Sequence, residues 1–335
     1  MIISYSFRKQ FFCALFIYSF FSCKKEDTST PQNAFPGLPL VTTKDAVSIT
    51  QNTAISGGSI SSDGGFPVKS RGVYWSTSPV TPSALGTKTS NGTGMGSFSS
   101  SISKLIPDQV YYVRAYATNS TGTAYGNQIS FRTAKPSDLD GNTYNVIVIG
   151  QQVWMKENLK VSRFRNGDPI PANLDSTLWS ENAGSACCFY EDNPSNQSAL
   201  GRLYNWYAVS DPRGLCPDGW HVPDNAEWTT LENYLGNNEN AGGKMKSTGT
   251  KQGGTGLWNQ PNSFATNSSQ FSANPGGYRT ENGAFILQGY LGTFWTSSES
   301  DVFSASLRGL NYNHGYLEKN YSYKQSGLSV RCIAD

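Results

Sequence analysis

The chain runs to 335 residues, longer than one domain usually is, so two folded units are expected, each with its own core. Aromatic residues reach 13%, charged residues only 15%, and there are 34 glycines, which describes a turn-rich β protein rather than a helical one. The formal net charge is +2, and without Arg8 and Lys9 of an expected leader 24 basic residues face 24 acidic ones; that balance offers no electrostatic argument for nucleic acid, whose phosphates call for clustered Lys and Arg.

Arg8 and Lys9 precede the apolar run Phe11 to Tyr18, which leads into Ser19-Phe20-Phe21-Ser22-Cys23. About 11 apolar residues are too few for a bilayer, which takes roughly 20, so residues 1–22 read as a cleaved secretory signal. Ser22 directly before Cys23 resembles the lipobox of bacterial lipoproteins, with Phe20 where leucine is usual. That resemblance implies an acylated Cys23 and an outer membrane partner reached through the lipid. Lys24-Lys25-Glu26-Asp27 resembles the charged signal that sends such lipoproteins of Bacteroidetes to the cell surface. An ordinary signal with a chance cysteine is the alternative. Residues 23–36, rich in Ser, Thr, Pro and charge, read as a flexible tether.

Residues 37–134 form the first expected unit. Val47-Ser48-Ile49, Ala54 to Ile60, Arg71 to Trp75, Ser97-Phe98 and Gln128 to Thr133 read as short strands between Gly, Ser, Thr and Pro turns, at the intervals of a β-sandwich. Leu105-Ile106-Pro107-Asp108-Gln109-Val110-Tyr111 and the strand after it resemble the approach to strand F of fibronectin type III-like domains. The resemblance makes Tyr111 a tyrosine corner. Alternation puts Tyr111, Val113, Ala115 and Ala117 inward and Tyr112, Arg114 and Tyr116 outward, where an exposed tyrosine patch would bind or merely coat a spacer.

Lys135-Pro136-Ser137 links to the second unit, residues 138–335. Its Asp138-Leu139-Asp140-Gly141-Asn142 start hints at a calcium loop, but an EF-hand needs Gly where Thr143 stands and Glu where Ile149 stands. A turn feeding a hairpin of Tyr144 to Ile149 and Gln152 to Met155 fits better. Further on, Cys216-Pro217-Asp218-Gly219-Trp220-His221-Val222-Pro223 reads as a turn and short strand. A helix follows, with Asp224 as N-cap, Glu227 completing a capping box, Trp228, Leu231 and Leu235 at helical spacing and Gly236 as the stop.

The opening of this unit, Gly201-Arg202-Leu203-Tyr204-Asn205-Trp206-Tyr207-Ala208, the Cys216 to Pro223 stretch, Phe294-Trp295-Thr296-Ser297-Ser298 and Ser329-Val330-Arg331-Cys332 together resemble one family closely: the Fibrobacter succinogenes major paralogous domain of secreted and surface proteins. It implies no established activity. The segment His221 to Trp228 is also similar to formylglycine-generating, sulfatase-modifying-factor enzymes, which implies an α+β, C-type-lectin-like core with a small sheet and two helices. The first helix would carry Leu203, Trp206 and Tyr207, the second Trp228, Leu231 and Leu235, and loops 236–256 and 259–283 would form any binding surface. The whole chain is thus expected to be mostly β, a fibronectin-like sandwich followed by this α+β unit.

Catalysis is not expected. His221 and His314 are the only histidines and have no partner at metal-site spacing. The paired reactive cysteines of formylglycine-generating enzymes are absent, since only Cys332 lies in the corresponding C-terminal part. Asp218, Asp224, Glu227, Glu299 and Asp301 all have plainer roles in turns or caps than as paired carboxylates. No cofactor is called for, with calcium left open by Trp258-Asn259-Gln260-Pro261-Asn262, whose Gln-Pro-Asn resembles the calcium-and-sugar tripeptide of C-type lectins. The Trp-Asn-Asp those lectins also use is missing, and Asn-Pro pairs are common in loops. For an oxidising compartment, Cys187, Cys188, Cys216 and Cys332 allow three pairings. Adjacent Cys187 and Cys188 would bond each other only with a distorted peptide, so they stay free or one takes Cys216 or Cys332; the family motifs beside Cys216 and Cys332 favour joining those two. The expected role is a surface lipoprotein whose second unit binds an extracellular protein or glycan, with a glycan-binding accessory and an unrecognised enzyme as alternatives.

Overall fold

A computed structural model describes residues 37–79, 86–237 and 239–335; the signal segment, Cys23 and the tether lie outside the described residues. The first unit contains β1 (Leu40–Val47), β2 (Ala54–Ser62), β3 (Ser70–Ser76), β4 (Thr87–Lys88), β5 (Gly96–Ile102), β6 (Val110–Thr118), β7 (Thr123–Tyr125) and β8 (Ile129–Arg132). They form one sheet in the order β1-β2-β5 and a second in the order β4-β3-β6-β7, with β8 also paired to β6. Val41, Ile60, Phe98 and Ile102 of one sheet meet Val73, Val113, Ala115 and Phe131 of the other in a single core, the sandwich that alternating strands predict. The sheets approach so closely at Gly58 that a Cβ there would lie 2.7 Å from that of Ala115. The Tyr111 hydroxyl accepts a hydrogen bond from the Ile106 N–H at 2.9 Å, which is the tyrosine corner.

Two expectations for this unit are corrected. The first strand lies earlier than Val47-Ser48-Ile49: it ends at Val47, because Ser48 turns left-handed with φ 49°. Tyr116 points away from the sandwich core as expected, yet it is only 3% exposed. Tyr74 packs on its ring with centroids 4.9 Å apart, its hydroxyl donates to Thr89 O at 2.8 Å, and the Lys88 ammonium lies over it. No exposed Tyr112–Tyr116 patch forms, since the β4 segment covers half of it.

The second unit adds β9 (Val146–Ile149), β10 (Gln152–Met155), α1 (Ser176–Glu181), β11 (Cys187–Cys188), α2 (Gln197–Leu200), β12 (Leu203–Tyr204), α3 (Trp206–Val209), β13 (Trp220–His221), α4 (Asn225–Tyr234), α5 (Ala241–Met245), β14 (Tyr278–Arg279), β15 (Phe285–Ile286), β16 (Leu291–Glu299), β17 (Ser304–Asn311), β18 (Leu317–Tyr323) and β19 (Ile333–Ala334). One sheet runs β13-β19-β10-β9 and another β16-β17-β18. α4 starts as its sequence dictates: Asp224 accepts from the Glu227 N–H, Glu227 accepts from the Asp224 N–H, and Trp228 and Leu231 are buried. The chain as a whole is mostly β.

The expected helix through Leu203, Trp206 and Tyr207 is not there. Leu203 and Tyr204 pair as strand β12 with Cys188 and Cys187. Asn205 then caps a single turn, its side chain accepting from the Ala208 N–H. The apolar spacing reflects burial from several sides rather than one helical face. The loop 236–256 also contains α5, whose Gly242 and Gly243 give no periodic signal.

Candidate binding surface

The motifs that mark the second unit meet in its interior. Trp295 Nε1 donates to Tyr204 O at 2.7 Å, Trp206 Nε1 to Thr296 O at 3.0 Å, and the Trp295 N–H to Ser329 O at 3.0 Å. The Tyr204 N–H reaches Leu328 O at 2.8 Å and the Met155 N–H reaches Cys332 O at 3.0 Å. Cys216 is bonded to Cys332, with Cα atoms 6.1 Å apart. Arg331, 1% exposed, donates to Asn158 Oδ1, Met155 O and Phe271 O and lies over the Phe271 ring. These motifs hold the frame together.

In the Gln-Pro-Asn loop Trp258, Asn259 and Asn262 are buried, while Gln260 and Pro261 are exposed. Trp258 is fully buried, its indole N–H shared between Ser247 Oγ and Ala273 O at 3.1 Å each. Asn259 Oδ1 accepts from Gln252 Nε2 at 3.3 Å. Gln260 precedes Pro261 through a cis peptide, and its N–H donates to Gln252 Oε1. Asn262 spends its amide N–H groups on Ser247 O and Gly249 O. Among the described residues no group of three or more His, Cys, Asp or Glu side chains stands close enough to hold a metal ion. Through these contacts Trp258, Asn259 and Asn262 brace the loop from inside. Asp138 is engaged in the same way, accepting from the Asp140 and Asn142 N–H groups and from the Tyr144 hydroxyl.

Several titratable groups are also engaged in structural contacts. His221 sits between Glu227, 2.8 Å from Nε2, and Asp335, 2.7 Å from Nδ1. Burial opposes its charge, but the two carboxylates outweigh it and its pKa is raised. Asp301 accepts from the Phe303 and Ser304 N–H groups, and Glu299 pairs with Lys324. Cys187 and Cys188 are free thiols on opposite faces of β11 in separate cores, and burial pushes their pKa values up to about 11 and about 12. Thiols so held are poor nucleophiles.

Exposed aromatic rings gather at the edge of the β16-β17-β18 sheet. Along it Tyr316 is 47% exposed, Tyr321 70% and Tyr323 54%, and Phe303 beside the strand's end is 71% exposed. The Tyr316 ring lies parallel on the His314 imidazole, 3.5 Å between centroids and 5° between planes, and His314 Nε2 is held by Glu318 Oε1 at 2.9 Å. A cleft of about 420 Å³ is lined by Glu239, Tyr316, Glu318, Lys319 and Asn320. A second of about 260 Å³ is lined by Tyr278, Leu307, Glu318, Asn320, Tyr321 and Leu328. Sequence reasoning missed this surface, because isolated tyrosines in a polar strand look the same whether they coat a protein or recognise something. A wider cleft, about 820 Å³, lies between the units, where Trp220 Nε1 donates to Gln51 Oε1 at 2.9 Å.

The family model described as the Fibrobacter succinogenes major domain matches residues 147–334. No curated protein matches the chain. Solved structures similar to part of it include the sensor domain of the anti-sigma factor RsgI4 of Pseudobacteroides cellulosolvens, at 15% identity and TM-score 0.23 over 30% of this chain and 98% of that one. The fibronectin type-III domain of human fibronectin type III domain containing protein 3 is similar at 14% identity and TM-score 0.21, over 31% of this chain and 92% of that one. The chicken CNTN1 FN1-FN3 domains are similar at 18% identity and TM-score 0.22, over 36% of this chain and 40% of that one.

Proposed function

The chain belongs to the Fibrobacter succinogenes major domain family, and from that premise we propose that it is a surface-displayed, lipid-anchored protein that binds an extracellular ligand without transforming it. The row of exposed aromatic side chains along β18 carries this reading, because rings left in water on an edge strand cost solvation unless a partner covers them. The second unit then presents the ligand surface, and the sandwich and the tether hold it away from the membrane. The anchoring half rests on Ser22-Cys23 and the charged residues after it. No helix among the described residues is long and apolar enough to cross a membrane. An enzyme would need a nucleophile or an acid–base pair in a cleft, whereas His221, Asp301 and Glu299 are occupied in structural contacts.

Fractionation tests the anchor. The native chain is expected in the membrane fraction and to be degraded by protease added to intact cells, while Cys23→Ser is expected in soluble fractions without acyl label. A Cys23→Ser variant that stays on the membrane refutes the lipid anchor.

A further inference from the structure

The same ridge bears on the class of ligand. We infer that the β18 edge binds a neutral polysaccharide chain laid along the strand from Tyr316 to Tyr323, an inference that rests on the second unit being the ligand-presenting one.

Tyr316 is fixed before any ligand arrives: His314 covers one side of its ring, Glu318 holds the imidazole, and the residue, 47% exposed, lines the 420 Å³ cleft. A flat, preset ring with a polar edge suits the apolar face of a sugar ring, and presetting removes the ordering cost of binding.

Polar groups surround this platform. Glu318 and Asn320 line both clefts, so the clefts adjoin at the edge strand, one on each side of it. Leu307 and Leu328 floor the smaller cleft, and Gly309 keeps it open, since a Cβ there would lie 2.9 Å from Glu318 Oε2. The Asn320 amide and the Tyr278, Tyr316 and Tyr321 phenols line these clefts. They are neutral donors and acceptors, of the kind that pair with hydroxyl groups. The strand's charges are already occupied: Lys319 meets Glu232 at 2.7 Å, and Glu318 accepts from His314. An uncharged polyhydroxylated ligand finds both rings and amides along this strand.

The strip is also long enough for a chain. The 7 residues of β18 span roughly 23 Å, with Tyr321 and Tyr323 on one face of the strand and Phe303 beyond its end. Such a length fits several sugar rings in a row better than one monosaccharide. An added peptide strand is the competing occupant of a free edge, but it would use the backbone and leave the rings and both clefts unexplained.

The test uses the full-length protein against soluble arabinoxylan, galactomannan and mixed-linkage β-glucan as neutral probes, polygalacturonate as an acidic one, and collagen and fibrinogen as protein probes. Binding is read by titration calorimetry and by retardation in gels containing the polysaccharide. The expected result is binding of at least one neutral polysaccharide, weakened roughly tenfold or more in Tyr316→Ala and in Tyr321→Ala, with Tyr316→Phe retaining most of it. Each variant's thermal midpoint is measured alongside, so that loss of fold is not mistaken for loss of binding. Neutral-polysaccharide binding that survives both alanine variants overturns the site. Binding of polygalacturonate alone overturns the neutral ligand. Binding of a protein probe alone, lost in the same variants, overturns the carbohydrate inference and leaves the binding surface standing. Binding of no probe overturns both.

Discussion

Cys216 and Cys332, 116 positions apart in the sequence, are bonded across the second unit, tying the turn before β13 to the segment that leads into β19. A loop that long, left open, adds much freedom to the unfolded chain. In the chain-entropy model closing it stabilises by about 4 kcal/mol. Cys216→Ala with Cys332→Ala should lower the unfolding midpoint of the second unit accordingly. Thiol titration of residues 37–335 gives an independent check: Cys187 and Cys188 should react only after unfolding, and two further thiols should appear only after reduction. Four reactive thiols without reductant would refute the bond.

Tyr111 is a second, separate lever on stability. Its hydroxyl takes the Ile106 N–H at the corner of the sandwich. Tyr111→Phe keeps the ring against Phe131, 6.0 Å between centroids, and removes that one bond. The loss should be about 1 to 2 kcal/mol in urea unfolding, confined to the transition of the first unit. An unchanged transition would mean that water replaces the hydroxyl at no cost.

Those two contacts mark how far the sequence could be read. Tyr111 and the Asp224–Glu227 box were legible because each is a local pattern in which neighbours satisfy neighbours. Tyr204 and Trp206 misled, because their partners, Leu328, Thr296 and Lys324, lie about 90 or more positions away and their apolar spacing mimics a helix. The exposed rings of β18 were illegible for a related reason. The motifs that identify the family encode the buried frame around Tyr204, Trp295 and Cys332, and the exposed rings of β18 lie outside them.

His221 makes the fold sensitive to pH. A carboxylate at each ring nitrogen raises its pKa in the folded state above the ordinary value near 6.5. A raised folded value means that the folded state binds the proton more tightly than the unfolded one. The resulting stabilisation is fully present below about pH 6.5 and fades as pH rises through the folded-state value. With the side chain 40% exposed, solvent screens the pair and the effect is small. Proton NMR should place the His221 titration above 6.5, and Asp335→Asn should bring it down; a midpoint below 6.5 would contradict the geometry.

Lys246 makes the opposite prediction. The residue is fully buried, and its ammonium donates to Ser263 O, Asn311 O and His314 O at 2.7 to 2.8 Å. Burial pulls its pKa down to about 8. Between that value and the ordinary one near 10.4 the unfolded chain holds more protons than the folded chain, so this residue makes stability rise with pH over that interval. The charge is therefore a cost at neutral pH, yet the three carbonyls it satisfies hold the loop before β18 and the Ser263 segment together. Lys246→Met removes the cost and strands those carbonyls, and an unsatisfied buried acceptor costs about 1 to 3 kcal/mol. The expected net is a loss of about 2 kcal/mol at pH 7, together with disappearance of the rise above pH 8. Because His314 carries the Tyr316 platform, the same variant should also loosen Tyr316, seen as increased quenching of tyrosine fluorescence by acrylamide. A variant as stable as the native chain, with Tyr316 no more accessible, would show that the cradle is dispensable.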